Sequence, residues 1–81
     1  MMDIPIRLCD MREGGCARFH EAHLDDESCH LLETLGLIPS TPVRLCKSGE
    51  PCIVQVRSTR IGLSHEVARQ IFVIPDASVA P

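Results

Sequence analysis

A small, mainly β barrel is the fold class this sequence predicts: five to six strands, one α-helix inserted after the second strand, and a short helix near the C-terminus. Three observations point there. Residues 39–75 read PSTPVRLCKSGEPCIVQVRSTRIGLSHEVARQIFVIP, which packs three short apolar alternations and a brief polar helix start into under half the chain. The chain has 81 residues, enough for one domain with a single small core. Hydrophobic residues make up 44% of it, yet Phe19 and Phe72 are the only aromatics, so the core has to be built from Val, Ile and Leu. Order is expected over residues 4–75, with a small polar tail, 76–81, that frays.

The elements follow in order. Ile4, Ile6 and Leu8 alternate with Pro5 and Arg7, an opening strand that Pro5 confines to an edge or a strand start. Residues 10–15 read as a turn, with Gly14 and Gly15 supplying permissive backbone. A second strand over Cys16–Ala22 puts Ala17 and Phe19 inward and Cys16, Arg18 and His20 outward. Residues 25–35 form the clearest helix. Asp25 suits the N-cap, Asp26 and Glu27 suit the positive end of the helix dipole, and Leu31, Leu32 and Leu35 make an apolar stripe. Gly36 then ends the helix and Pro39 prevents its resumption.

Residues 43–47 and 52–57 pair as a hairpin around Ser48-Gly49-Glu50-Pro51. A Lys47–Cys52 pairing makes Leu45 meet Val54 and Val43 meet Val56 on the core face, and it puts Cys46 and Cys52 on opposite faces. Residues 61–63 are a short strand, Ser64 caps a single helical turn over 64–69, and residues 71–74 close the barrel before Pro75.

Composition removes several functions. Net charge is −3, with no basic cluster and almost no aromatics for base stacking, so nucleic-acid binding is not expected. Apolar runs are only a few residues long, far short of a membrane span, and the start MMDIPIRLCDM has no basic n-region or long apolar h-region. The expected location is the cytoplasm. Five cysteines (Cys9, Cys16, Cys29, Cys46 and Cys52) without a CxxC pair read as reduced thiols, not a disulfide framework.

Chemistry-bearing residues are sparse. His20 and His23 are the best metal candidates, for Fe2+ or Zn2+, at the end of the second strand. Cys16 is too far from His20 to join them, because four residues of strand span about 13 Å. Cys29 and His30 are adjacent on the helix, which suits packing and surface pairing better than ligation. His65-Glu66 lacks the second histidine that a zincin helix needs, since position 69 is arginine. There is no Walker loop, no GxGxxG and no GxSxG, and a domain this small lacks the bulk to enclose a substrate, so no enzymatic activity is expected. Arg57, Arg60 and Arg69, with Lys47 and Arg44, give a mildly basic edge suited to a protein partner.

At these residues the chain resembles the FeoA family, ferrous iron transport protein A. The shared features come in order: an opening strand, Gly14-Gly15, the alternation of Ala17 and Phe19, the helix end LLETLGLIP, the hairpin with Gly49-x-Pro51, and IGLSHEVARQIFV. In the last, Ile61, Gly62, Leu63, Ala68, Ile71 and Val73 fall on the family's [IL]-[AG]-L-x-x-x-x-A-x-x-I-x-V positions. The likeness covers roughly residues 6–74. It implies an SH3-like barrel with a helical insertion. It also implies a cytosolic accessory protein of bacterial ferrous iron uptake whose partner is the cytosolic domain of FeoB, the membrane iron transporter. The same barrel occurs fused to iron-dependent repressors of the DtxR type. No helical DNA-binding domain precedes it here, so a free-standing repressor is not expected. One departure stands out: Ser40 occupies the post-helix position where the family usually has glycine. The family offers no invariant ligand set, so no metal residues carry over from it.

The expectation is thus a non-enzymatic barrel that docks on the transporter and biases it between states. Its expected contact residues lie at exposed loops: Leu37, Pro39, Ser40 and Thr41 after the helix, Lys47, Gly49 and Pro51 at the hairpin tip, and Arg57 and Arg60 beyond it. The alternative is direct binding of a transition metal through His20 and His23, as a sensor or chaperone. A thiol redox role ranks third.

Overall fold

The computed structural model describes residues 4–76. Its elements run β1 (Ile6–Arg7), a 3-10 turn (Leu8–Asp10), β2 (Cys16–Ala22), α1 (Asp26–Thr34), β3 (Pro42–Lys47), β4 (Cys52–Val56), β5 (Thr59–Leu63), α2 (His65–Ala68) and β6 (Ile71–Pro75). All six strands join one antiparallel sheet in the order β1-β6-β2-β3-β4-β5. The expected tail lies outside the described residues except for Asp76, whose N–H donates to the Cys16 carbonyl at 3.0 Å.

Alternation dictates which side of each strand is inside. Ala17 and Phe19 of β2, Val43 and Leu45 of β3, Val54 and Val56 of β4, Ile61 and Leu63 of β5, and Ile71 and Val73 of β6 are all buried in one cluster. The sheet curls around that cluster, but hydrogen bonds do not close it. The expected closure by the last strand gives way to a different topology. β6 lies inside the sheet between β1 and β2, and among the described residues the end strands β1 and β5 share no ladder. β1 is only two residues long, too short to seal the seam. The expected strand pattern through Leu8 fails for the same reason. Leu8 turns into the 3-10 segment and is buried, whereas Ile4 is 60% exposed.

The central hairpin pairs Leu45 with Val54, as the sequence predicts, and Arg44 with Gln55. The expected Lys47–Cys52 pairing is replaced by Lys47–Ile53, because a bulge at Cys46 takes up one residue. Cys52 is buried, Cys46 is half-buried, and both are free thiols.

Helix α1 starts at Asp25, whose extended backbone makes it the N-cap. The Ser28 hydroxyl holds the Asp25 carboxyl below its ordinary range. The C-terminus is a Schellman turn. Gly36, at φ +101, donates its N–H to the Glu33 carbonyl, and Leu37 donates to Leu32. Leu32 and Leu37, the pair that packs together in this motif, are both buried. The expected apolar stripe is only partly used: Leu31 stays 60% exposed and Leu35 38% exposed. The helix meets the sheet along one line through Leu32, and residues to either side of that line face outward.

Candidate docking surfaces

The predicted contact residues divide by burial. In the post-helix turn Leu37 and Thr41 are buried, which corrects their expected exposure: Leu37 completes the helix cap and Thr41 begins the return to β3. Pro39 and Ser40 are exposed beside Ile38, which is 44% exposed. This turn is fastened to β2 at Phe19, whose N–H donates to the Thr41 carbonyl and whose carbonyl accepts from Ser40, each at 2.8 Å. Ser40 has φ +74, so serine holds the left-handed conformation that glycine adopts freely.

At the hairpin tip Lys47, Gly49 and Pro51 are exposed, but their neighbours are tied down. The Ser48 N–H and hydroxyl both donate to Glu13 Oε2, at 2.9 and 3.0 Å. These bonds, with the nearby Lys47 charge, hold the Glu13 carboxyl below its ordinary range. The His65 N–H donates to Glu50 Oε1 at 2.5 Å, and Ser64 Oγ accepts from the Val67 N–H, so two side chains cap α2. Arg57 and Arg60 are exposed at the β4–β5 turn, where Arg57 has φ +60. Register aligns Arg44, Gln55 and Arg60 across β3, β4 and β5, which gives the outer sheet face a basic strip.

The two candidate histidines line different clefts. A bulge lies between Phe19 and Glu21, so β2 skips His20 in its pairing with β6. His20 lines a cleft against α1. His23 lines another beside Arg69 and rests on Phe72, with ring centroids 4.6 Å apart. Its Nε2 lies 2.8 Å from Glu21 Oε2. Among the described residues no three His, Cys, Asp or Glu side chains come together, so they do not fit a resident metal. Burial, and secondarily Cys9, pushes the Cys52 thiol up, the wrong direction for a reactive thiolate.

Sequence reasoning did not find the cleft between α1 and β2. It holds about 190 Å³ and is walled by Phe19, Leu32, Leu37 and Pro39, with Glu21 and Glu33 on its rim. Cys29 lines its back, its thiol directed at the carbonyls of Leu24 (3.5 Å) and Ala22 (3.7 Å). The bulge at His20 turns the end of β2 along this cleft, and a bulge leaves no mark in a composition or a period.

Comparison with known proteins bears on what such a molecule is. No curated protein sequence matches the chain significantly. Among solved structures it is similar to Stenotrophomonas maltophilia FeoA complexed with zinc, described as a prokaryotic SH3 domain protein. The identity is 28%, covering 90% of this chain and 92% of that one, at a TM-score of 0.72. It is similar in fold to FeoA from Chlorobium tepidum (18% identity, 93% and 74% covered, TM-score 0.85). T. acidophilum IdeR matches in fold too, at 22% identity and TM-score 0.82, with 94% of this chain covering 36% of that one. The SH3-like architecture expected from the sequence is therefore the architecture observed, as an open sheet. The FeoA domain model matches residues 6–75, from β1 to the end of β6, and on that match the chain belongs to the FeoA family.

Proposed function

We propose that this protein is an accessory factor of ferrous iron transport that acts by docking on the membrane iron transporter, a FeoB-like protein, from the cytoplasmic side. Membership of the FeoA family implies involvement in ferrous iron transport. The docking and its modulating effect are our reading. The observation that carries it is the extent of the family match, which leaves almost no described residue outside the domain. A single small sheet offers surfaces and open clefts, and the cleft between α1 and β2, at about 190 Å³, is smaller than a small-molecule pocket. A docked surface shifts a transporter only if it binds one state more tightly than another.

The test is retention of the purified chain on the intact, detergent-solubilised transporter, together with the effect on its nucleotide hydrolysis. Retention at micromolar concentration is the expected result. No retention at high micromolar concentration removes this reading.

The zinc bound by the Stenotrophomonas relative favours direct metal binding as a second reading. A site on this chain would have to draw ligands from a second molecule, since among the described residues no three His, Cys, Asp or Glu side chains come together. Titration with Fe2+ or Zn2+ under reducing conditions, repeated on His20→Ala/His23→Ala, decides it: sub-micromolar affinity lost in the variant supports the reading, and its absence ends it.

A further inference from the structure

Charge is segregated along this chain. Between residues 19 and 43 there are five carboxylates (Glu21, Asp25, Asp26, Glu27 and Glu33) and no lysine or arginine. All 8 lysines and arginines lie outside that stretch, against the other six of 11 acids. The stretch is the helical insertion with its flanking ends of β2 and β3. A net charge of −3 therefore hides an acidic insertion on a mildly basic sheet. Within the insertion Glu21 is approached by His23 and Glu33 by His30, at 2.8 and 4.0 Å, so each of these two carboxylates faces an imidazole of its own segment.

The same insertion carries the apolar surface. The cleft between α1 and β2 holds about 190 Å³, more than the ~150 Å³ cavity that accommodates a benzene ring. It is smaller than the roughly 300 Å³ at which small-molecule pockets begin. That volume suits one large aliphatic or aromatic side chain. On the outer side of the insertion, Leu31, Leu35 and Ile38 keep helix and exit turn partly apolar.

We infer that the α1–β2 cleft is the docking site for a basic segment of a partner protein, one that inserts a large apolar side chain between Phe19, Leu32, Leu37 and Pro39 and sets a neighbouring lysine or arginine against Glu21 and Glu33. The occupant is identified by charge complementarity and by size. An acidic rim repels an acidic partner and steers a basic one, while the apolar floor supplies the anchor. The inference rests on the docking reading above; it keeps the post-helix turn, whose Leu37 and Pro39 line the cleft, and replaces the hairpin tip and the basic Arg57–Arg60 edge as contact surface with the acidic insertion.

The experiment uses the full chain as wild type, as Glu21→Lys/Glu33→Lys, and as Arg44→Glu/Arg60→Glu. All four positions are exposed, so the fold tolerates the changes. Binding is measured to the solubilised transporter and to a synthetic amphipathic peptide of leucine and lysine, at about 50 and about 300 mM salt. The expected result is a loss of at least tenfold for Glu21→Lys/Glu33→Lys on both probes. The Arg44→Glu/Arg60→Glu variant stays within about twofold, and wild-type affinity falls several-fold at the higher salt. Loss confined to Arg44→Glu/Arg60→Glu overturns the inference and leaves transporter docking standing. Peptide binding without transporter binding supports the cleft and removes the transporter. Binding of neither probe overturns both. Self-association abolished by Glu21→Lys/Glu33→Lys makes a second copy of the chain the occupant and overturns the inference as well.

Discussion

The sheet and the helical insertion use leucine in opposite ways. Leu45, in the middle of β3, is fully buried across from Val54, and Val43, Val56, Ile71 and Val73 are buried in the same cluster. In α1 and its C-cap three leucines fall within five residues, and only Leu32 is buried. A sheet residue either faces the core or faces away, because the period is two. A helix residue can stand at any angle to the surface it rests on, so the same residue type can be spent on packing or left for another molecule. The contrast separates the part of this chain that makes the fold from the part that presents a surface. It is strengthened by charge, since the insertion is the acidic pole and the sheet carries the arginines.

The contrast is most exposed to failure at the leucines themselves. Leu45→Ala should cost about 2–5 kcal/mol, through lost burial and the cavity left behind. Total stability for a domain of this size is only about 4–12 kcal/mol, so the variant should melt more than roughly 10 °C lower. Leu31→Ala should change stability by less than about 0.5 kcal/mol, as an exposed substitution does. Thermal unfolding followed by circular dichroism compares them directly, and equal losses would erase the distinction between the two regions. Leu32→Ala sharpens it, with an expected cost of about 2 kcal/mol. Amide exchange in that variant should rise first in α1 and its Schellman turn, while the β3–β4 ladder keeps its protection. Simultaneous loss of protection in both would mean that the insertion is part of the same cooperative unit as the sheet.

A smaller effect tests the turns of the two regions. Ser40 ends the insertion at φ +74, and Arg57 joins two strands of the sheet at φ +60. Neither residue type favours that backbone. Ser40→Gly and Arg57→Gly should each raise stability by about 0.5–1 kcal/mol, the relief of left-handed strain exceeding the extra unfolded-state freedom of glycine. Urea midpoints measure both. A gain at Arg57 alone would mean that the two bonds fastening the post-helix turn to Phe19 already offset the strain at Ser40.

Legibility in the sequence follows the same division. The strands after the first, the N-caps Asp25 and Ser64, and the Gly36 stop were readable because each rests on local chemistry at fixed spacing. The hairpin was readable to Leu45–Val54 and then lost register at Cys46, since an inserted bulge residue resembles its neighbours in sequence. The leucine stripe of α1 was visible, but nothing local said how much of it the sheet would cover. Ser40 was visible as an odd residue where a glycine is usual, and its positive φ is what that oddity encoded. The cleft was invisible, because its walls come from β2, α1 and the turn after α1 and meet only when the chain folds. Leu37 and Thr41 were assigned to a surface because they lie in a loop, and loop position does not decide burial when the loop itself caps a helix.

The smallest effect concerns a contact that holds two of the sheet's own loops together. Glu13 Oε2 accepts from both the N–H and the hydroxyl of Ser48, and this brings the β1–β2 loop onto the β3–β4 tip. Both bonds favour the ionised carboxylate, so the Glu13 pKa lies below its ordinary 4.5 in the folded chain. A depressed carboxylate pKa contributes stability that is fully present above the ordinary value and is lost as pH falls through the folded one. The window is therefore on the acid side of 4.5, and nothing should change at this contact between neutrality and that value. Because the carboxylate is exposed to solvent, the response should be local. The Ser48 amide resonance should hold steady down to about pH 5, then move through a single titration centred below the free glutamate value. In Glu13→Gln that titration should vanish while the Leu45–Val54 ladder stays intact. A Ser48 amide that titrates at or above the ordinary glutamate pKa would show that the carboxylate is not held there, and the hairpin tip would then be free to serve as a contact surface in its own right.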